Sequence, residues 1–324
     1  MKSKRYLFIS AVLCLLVILG TGGCNSRDQD LEITVGYFNN VTHAQALLMK
    51  SQGTLEAAFE DEADVNWVSF NAGPAEVEAL FAGEIDIGYI GPVPGINANV
   101  RSKGDIRLLT GASQAGAVLV RSAGSDIESV EDLAGKVVAI PQIANTQHLC
   151  LLNLLTECRL APVGNGGNVT VTAVSNADVE NMMRMGHIDA ALVPEPWGTT
   201  LIEKGAKLVL DETEIYMGGD YPVAVVVVRQ EFYEEHPDIV QTFLEKHKEA
   251  TVYLNDHVEE ASRIVNAQIN ADTGKNLSES VLDGAFQRMD FTENINEEAL
   301  SGFSAICLEQ KFIPELPGEN LWYQ

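Results

Sequence analysis

The sequence is poor in positive charge. Its 324 residues hold 21 Lys and Arg against 46 Asp and Glu, a net charge of −25. Nucleic acid is held by basic patches and anionic membrane surfaces by polybasic segments, so neither is expected as an electrostatic partner. Cysteine is scarce as well, with five in the chain: Cys14, Cys24, Cys150, Cys158 and Cys307. Cys150 and Cys158 fall on one predicted helix, about 12 Å apart at 1.5 Å per residue, too far for a disulfide. Buried thiols are expected instead. No Cys-x-x-Cys occurs and the six histidines are scattered, so no metal site or cofactor is expected. Gly-x-Ser-x-Gly, His-Glu-x-x-His and a P-loop are absent. His148 and Cys150, two apart on a helix, point to different faces and make no nucleophile pair. Without a convergent acid, base or nucleophile, the chain is not read as an enzyme.

What is present begins with a leader. Lys2, Lys4 and Arg5 precede an apolar run from Leu7 to Leu19, followed by Gly20, Thr21, Gly22, Gly23 and Cys24. The run is short for a transmembrane helix, so residues 1–23 are expected to be an export signal. Gly-Gly-Cys resembles a bacterial lipobox, in which Cys24 becomes the lipidated N-terminus, and residues 24–30 read as a polar tether. Loss of the leader's three basic residues leaves 18 against 46 acidic ones, a net charge of −28. An anionic ligand must then be held by local dipoles against an unfavourable overall field. The chain beyond the tether, about 290 residues, exceeds what one compact core usually holds, and two lobes fit it.

A repeat points the same way. Gly83-Glu84-Ile85-Asp86-Ile87-Gly88-Tyr89-Ile90-Gly91-Pro92 returns as Gly186-His187-Ile188-Asp189-Ala190-Ala191-Leu192-Val193-Pro194-Glu195. Both copies read as helix, Gly, Ile-Asp, apolar strand and a proline-marked loop. Strands that end in such loops are where α/β sheets place ligands, so the loops of two similar lobes are expected to face each other. Strands and helices alternate along the chain, which predicts parallel sheets covered by helices. Short helices are expected at 127–133 and 149–158, and long ones at 231–256 and 258–270. Two extended passages, from Ala117 and from Val223, predict a lobe split in sequence. Residues 31–118 and 223–324, with the C-terminal helices, form lobe 1, and residues 119–222 form lobe 2.

Four loop-to-helix junctions carry the candidate site. Thr42-His43 and Asn145-Thr146-Gln147 each follow a strand, and their helix starts offer free N–H groups and a positive dipole end to an anion. Gly91-Pro92 and Glu195-Pro196-Trp197 supply the other two, with proline suited to a first helical turn. Each residue has a second reading. Thr42 and Thr146 serve equally as ordinary caps, and His43 as a surface residue. Trp197 either packs within its lobe or forms a platform for the ligand. Glu195 either braces its loop or, facing the site, favours an ammonium-bearing ligand.

Asp86-Ile87-Gly88-Tyr89-Ile90-Gly91-Pro92-Val93-Pro94, Gly111-Ala112-Ser113, Asn145-Thr146-Gln147 and Val193-Pro194-Glu195-Pro196-Trp197 together resemble segments of ABC-importer substrate-binding proteins of the nitrate/sulfonate/taurine group, aliphatic-sulfonate-binding lipoproteins above all. The resemblance implies an α/β, type II periplasmic-binding-protein fold, with two lobes, two crossover strands and a ligand cleft. It implies that Thr42, His43, Gly91, Pro92, Ser113, Asn145, Thr146, Gln147, Glu195, Pro196 and Trp197 face the ligand. His148 stands where an acidic residue is common in the group. The implied function is that of a monomeric receptor, lipid-anchored at the outer face of a bacterial cytoplasmic membrane. It closes on a small sulfonate or related oxyanion and serves an ABC permease and its ATPase. The alternatives are nitrate, or an aromatic heterocycle such as a pyrimidine vitamin precursor stacked on Tyr37 or Trp197.

Overall fold

The computed structural model describes residues 31–60 and 62–323, so the expected signal peptide, Cys24 and tether lie outside the described residues. The chain runs through β1 (Leu31–Phe38), a 3-10 turn (Val41–His43), α1 (Ala44–Gln52), α2 (Thr54–Ala58), β2 (Ala63–Phe70), α3 (Gly73–Ala82), β3 (Ile87–Ile90), α4 (Pro92–Arg101) and β4 (Ile106–Ala115). It continues through β5 (Ala117–Arg121), β6 (Val137–Ile140), α5 (Thr146–Glu157), β7 (Thr170–Ala173), α6 (Asn176–Arg184), β8 (Ala190–Pro194), α7 (Trp197–Glu203), β9 (Lys207–Leu210) and α8 (Glu212–Ile215). Last come β10 (Pro222–Arg229), α9 (Gln230–Glu235), α10 (Pro237–Asp256), α11 (Val258–Thr273), α12 (Glu279–Gln287), β11 (Met289–Phe291) and α13 (Glu297–Glu309).

Two sheets result, one in each α/β lobe. The first has the order β11-β4-β10-β3-β1-β2 and the second β7-β6-β8-β5-β9. In the first, β1 runs parallel to β2 and β3, while β10 lies antiparallel between β3 and β4. The second repeats this plan: β6 runs parallel to β7 and β8, and β5 lies antiparallel between β8 and β9. The Ile-Asp repeat has a physical cause. Asp86 Oδ2 accepts from the Thr34 N–H of β1 at 2.9 Å, and Asp189 Oδ2 accepts from the Val137 N–H of β6 at 2.8 Å. Ile85 and Ile188 beside them are buried. Each carboxylate thereby registers the third strand against the first.

The chain leaves the first sheet at Ala115 and Gly116, both left-handed with φ of 57° and 70°, and enters the second at Ala117. The expected boundary at 118/119 therefore falls inside β5, because the turn belongs to this two-residue kink. The return passes Tyr221, whose carbonyl accepts from the Ala115 N–H at 3.0 Å, so the two crossings are tied side by side. Behind them one apolar cluster joins the lobes: Leu80 and Ile96 from the first, Phe303 and Cys307 of α13, and Ile140 and Leu149 from the second.

Three expectations change. The helix expected at 127–133 is only a 3-10 turn, Glu131–Leu133. The Asp132 carboxylate takes the Glu128 and Ser129 N–H groups at 2.9 and 3.0 Å, which competes with helix formation. The long helix expected at 231–256 breaks at His236, since Pro237 starts a helix but cannot continue one. Cys150 and Cys307 are buried thiols, pushed up to about 12 chiefly by burial, but Cys158 is half-buried.

One core residue is out of character. Glu76 of α3 is fully buried, and neither carboxyl oxygen has a partner among the described residues. It sits against Gly36 and Gly88, where any side chain would strike its Oε1. Burial raises its pKa well above the ordinary 4.5, so it is held protonated. A buried polar group without a partner costs about 1–3 kcal/mol, so Glu76→Leu is expected to stabilise the protein by that order in denaturant unfolding. A raised folded-state pKa contributes stability that is complete below 4.5 and lost as pH rises, because the unfolded chain releases its proton first. Relative to Glu76→Gln, the parent is thus expected to lose stability from pH 5 to 7; identical pH slopes for the two would contradict this assignment.

Candidate ligand cleft

The carboxyl ends of the parallel strands meet between the lobes in a cavity of about 30 Å³, room for little more than a water molecule. Its walls come from the loop after β1 (Phe38, Asn40, Thr42, His43), the β2–α3 junction (Asn71, Ala72, Gly73) and the start of α4 (Gly91, Pro94). Lobe 2 adds Pro141, Asn145, Thr146, Gln147, Asn176 and Pro194, and Val223 lies at the crossover. Among these residues none is Asp, Glu, Lys or Arg.

The two polar loops are built alike. Asn40 Oδ1 accepts from the Thr42 N–H at 3.0 Å and also takes the Thr42 hydroxyl. Asn145 Oδ1 accepts from the His148 N–H at 2.8 Å, while its amide donates to Gln147 Oε1 at 2.9 Å. Each loop carries a histidine three residues after its asparagine. The Phe38 N–H donates to His43 Nδ1 at 3.0 Å, and the Ala144 N–H to His148 Nδ1 at 3.0 Å. Both protons therefore sit on Nε2. Burial lowers His43 to about 3 and His148 to about 4. His43 stacks on Phe38 and lines the cleft as a neutral donor, whereas His148 packs on Phe312 and does not.

The first turn of α5 brings free donors to the cleft. Its Thr146 and Gln147 N–H groups have no partner within the helix. Thr146 is 3% exposed, and its Oγ1 is buried without a hydrogen-bond partner among the described residues. Gly91 of lobe 1 faces it so closely that a Cβ there would lie 2.6 Å from Thr146 Oγ1. The cleft therefore offers convergent N–H and O–H donors and no formal charge.

Of the residues expected at the site, Thr42, His43, Gly91, Asn145, Thr146 and Gln147 line the cleft; Pro92, Ser113, Glu195, Pro196 and Trp197 do not. Ser113 lies beneath it, its hydroxyl donating to the Thr42 carbonyl at 2.8 Å and so holding that loop. Glu195 is fully buried and braces α7, accepting from the Thr199 N–H and Oγ1, each at 3.0 Å, with Arg288 Nε 3.5 Å away. Burial raises its pKa, and the Thr199 hydrogen bonds and Arg288 oppose this. Trp197 packs against the lobe 2 core, and the Tyr37 hydroxyl is bound to Asp272 and Lys50, so neither aromatic reaches the cleft. Sequence reasoning missed Asn40, Asn71, Pro141, Asn176 and Val223. Asn71-Ala72-Gly73-Pro74 and Ser175-Asn176 are further strand-to-helix junctions, which was the available signal.

Among the described residues no helix is long and apolar enough to cross a membrane, and no three His, Cys, Asp or Glu cluster as a metal site. Two lobes, two tied crossings and a donor-lined cleft define a two-lobed binding protein of the type II periplasmic fold. The chain belongs to the NMT1-like family, whose model matches residues 27–270. It is 29% identical over 302 residues to a putative aliphatic sulfonates-binding protein of Bacillus subtilis (strain 168), covering 91% of this chain and 84% of that protein. It is 30% identical over 216 residues to the taurine-binding periplasmic protein of Escherichia coli (strain K12), covering 66% and 64%. Among solved structures, the alkanesulfonate-binding protein SsuA of Xanthomonas axonopodis pv. citri, bound to MOPS, superposes with a TM-score of 0.75 at 21% identity, covering 90% and 98%.

Two measurements probe this geometry. Gly91→Ala is expected to force the lobes apart at Thr146, giving a larger radius of gyration in small-angle scattering; an unchanged profile would contradict the contact. The buried histidines fix a pH response. His43, His148 and His247 have folded-state values of about 3, 4 and 4, all lowered chiefly by burial from 6.5. Their stability contribution is present above 6.5 and lost as pH falls, at about 1.4 kcal/mol per unit for each, because only the unfolded chain takes up the protons. Their ring protons are expected to keep neutral-imidazole NMR shifts down to about pH 5.

Proposed function

We propose that this protein is an extracytoplasmic solute-binding receptor of an ABC importer that closes its lobes on a small, singly charged sulfonate. The observation that carries the reading is Thr146 Oγ1, a buried hydroxyl with no partner among the described residues, placed at the first turn of α5, which the Asn145 cap leaves with two free N–H groups, and lining the cleft. The names of the sulfonate- and taurine-binding relatives support the same class. Thr42, His43, Gly91, Asn145, Thr146 and Gln147 are the ligand contacts in this reading.

Charge selects within the oxyanions. Moving an ion out of water costs more for a dianion, and without a buried cation only dipoles oppose that cost. A sulfonate keeps one negative charge spread over three oxygens and matches this lining. Sulfate and phosphonate dianions do not. A heterocycle stacked on Tyr37 or Trp197 has no platform here, because both rings lie elsewhere.

The cavity is too small for such a ligand unless the lobes part. Lobe 2, residues 117–221, and lobe 1, residues 31–116 with 222–323, are the two bodies that move about the tied crossings. A ligand touching both favours closure by its differential affinity. Lipidation at Cys24 keeps the monomer at the outer face of the cytoplasmic membrane, where a permease with its ATPase reads the closed state.

Thermal unfolding of the purified protein with a panel of ligands tests the reading. A ligand at a hundred times its Kd adds about 2.7 kcal/mol, so methanesulfonate, ethanesulfonate or taurine is expected to shift Tm while sulfate and phosphonates do not. Thr146→Ala with Gln147→Ala is expected to lower sulfonate affinity at least about tenfold. Parent-like affinity in that double variant would remove the proposed oxyanion site.

A further inference from the structure

Four asparagines line the cleft; Asn71 is exposed, and the other three differ in what their side chains already do. Asn40 Oδ1 is occupied by Thr42, and Asn145 Oδ1 by the His148 N–H. Asn176, the first residue of α6, lines the same cavity, and its Oδ1 is closed to solvent with no hydrogen-bond partner among the described residues. The remaining inner polar groups, the first-turn N–H groups of α5, the Thr146 hydroxyl and the His43 Nε2–H, donate. A carbonyl oxygen beside an oxyanion is repulsive unless it meets a hydrogen-bond donor. No carboxylate lines the cleft to take that role.

Resting on the sulfonate reading above, we infer that Asn176 is a specificity-determining residue. Its carbonyl oxygen accepts a hydrogen bond from an N–H or O–H group carried by the ligand's tail. The ligand class is then an amino- or hydroxy-substituted alkanesulfonate rather than a plain one. The oxyanion sits on the α5 turn and Thr146, and the donor on Asn176. A bare alkyl tail leaves this acceptor buried and unpaired, which is the arrangement that most strongly rejects a ligand lacking the donor.

The test is calorimetric titration of the purified full chain with three ligands of equal carbon length: ethanesulfonate, 2-hydroxyethanesulfonate and 2-aminoethanesulfonate. The parent is expected to bind the last two at least about tenfold more tightly than the first. Asn176→Ala abolishes that preference by raising ethanesulfonate affinity, the unpaired acceptor being gone, and lowering that of the other two, while Asn176→Asp, which keeps an acceptor, retains the preference for the amine. Equal affinities of the parent for all three ligands would overturn the inference while leaving the sulfonate reading intact. A uniform loss across all three in Asn176→Ala would also overturn it, since the amide would then be donating to the oxyanion. Failure of the parent to bind any of the three would remove the sulfonate reading itself, and this inference with it. Should Asn176→Ala not unfold cooperatively, loss of the preference in Asn176→Asp is the overturning result.

Discussion

An anion entering this cleft must be held by groups that carry no formal charge, inside a chain that is itself strongly acidic, and that constraint organises the structure around it. Dipoles act only at short range and in fixed directions, so several must converge on one point. The two sheets bring this about by ending their parallel strands opposite each other, which sets the start of α5, with its free N–H groups, at the cleft. The cap geometry keeps those groups free. Asn145 binds the His148 N–H and leaves the two before it unused. His43 and His148, which would otherwise bring charge, are kept neutral by burial and by accepting backbone N–H groups at Nδ1.

The same layout explains why the cleft-lining residues are few and their supports many. Ser113, Glu195 and Trp197 touch no part of the cavity, yet each supports an element at or next to its wall. Ser113 holds the Thr42 carbonyl, Glu195 caps the start of α7 directly after Pro194, and Trp197 anchors that helix in the lobe 2 core. Buried supports of this kind keep donors in place when the lobes separate and rejoin. The tied crossings at Ala115 and Tyr221, with α13 packed behind them, leave the front of the cleft as the side that opens.

Much of this was legible in the residues. The Ile-Asp repeat announced two equivalent strands because each aspartate must reach the neighbouring strand's N–H, a requirement set within a few residues. Strand and helix alternation, the split lobe and the Asn-Thr-Gln junction were local signals of the same sort. Where local chemistry had a competitor, the reading slipped. Asp132 drew the N–H groups of a stretch that looked helical, and Pro237 divided what looked like one helix. Asn176 was missed because a lone asparagine in the first turn of a helix carries no local sign of which cavity it will line.

By itself the sequence determined the class of fold and the order of its elements, since periodicity and turn chemistry act over short spans of chain. Only the tertiary structure decided which loop ends face one another across the lobes. That choice depends on side-chain direction and on contacts more than fifty residues apart, such as Gly91 against Thr146. It sent Thr146 and Asn176 into the cavity with unused polar atoms, and it turned Glu195 and His148 away to satisfy their hydrogen bonds elsewhere.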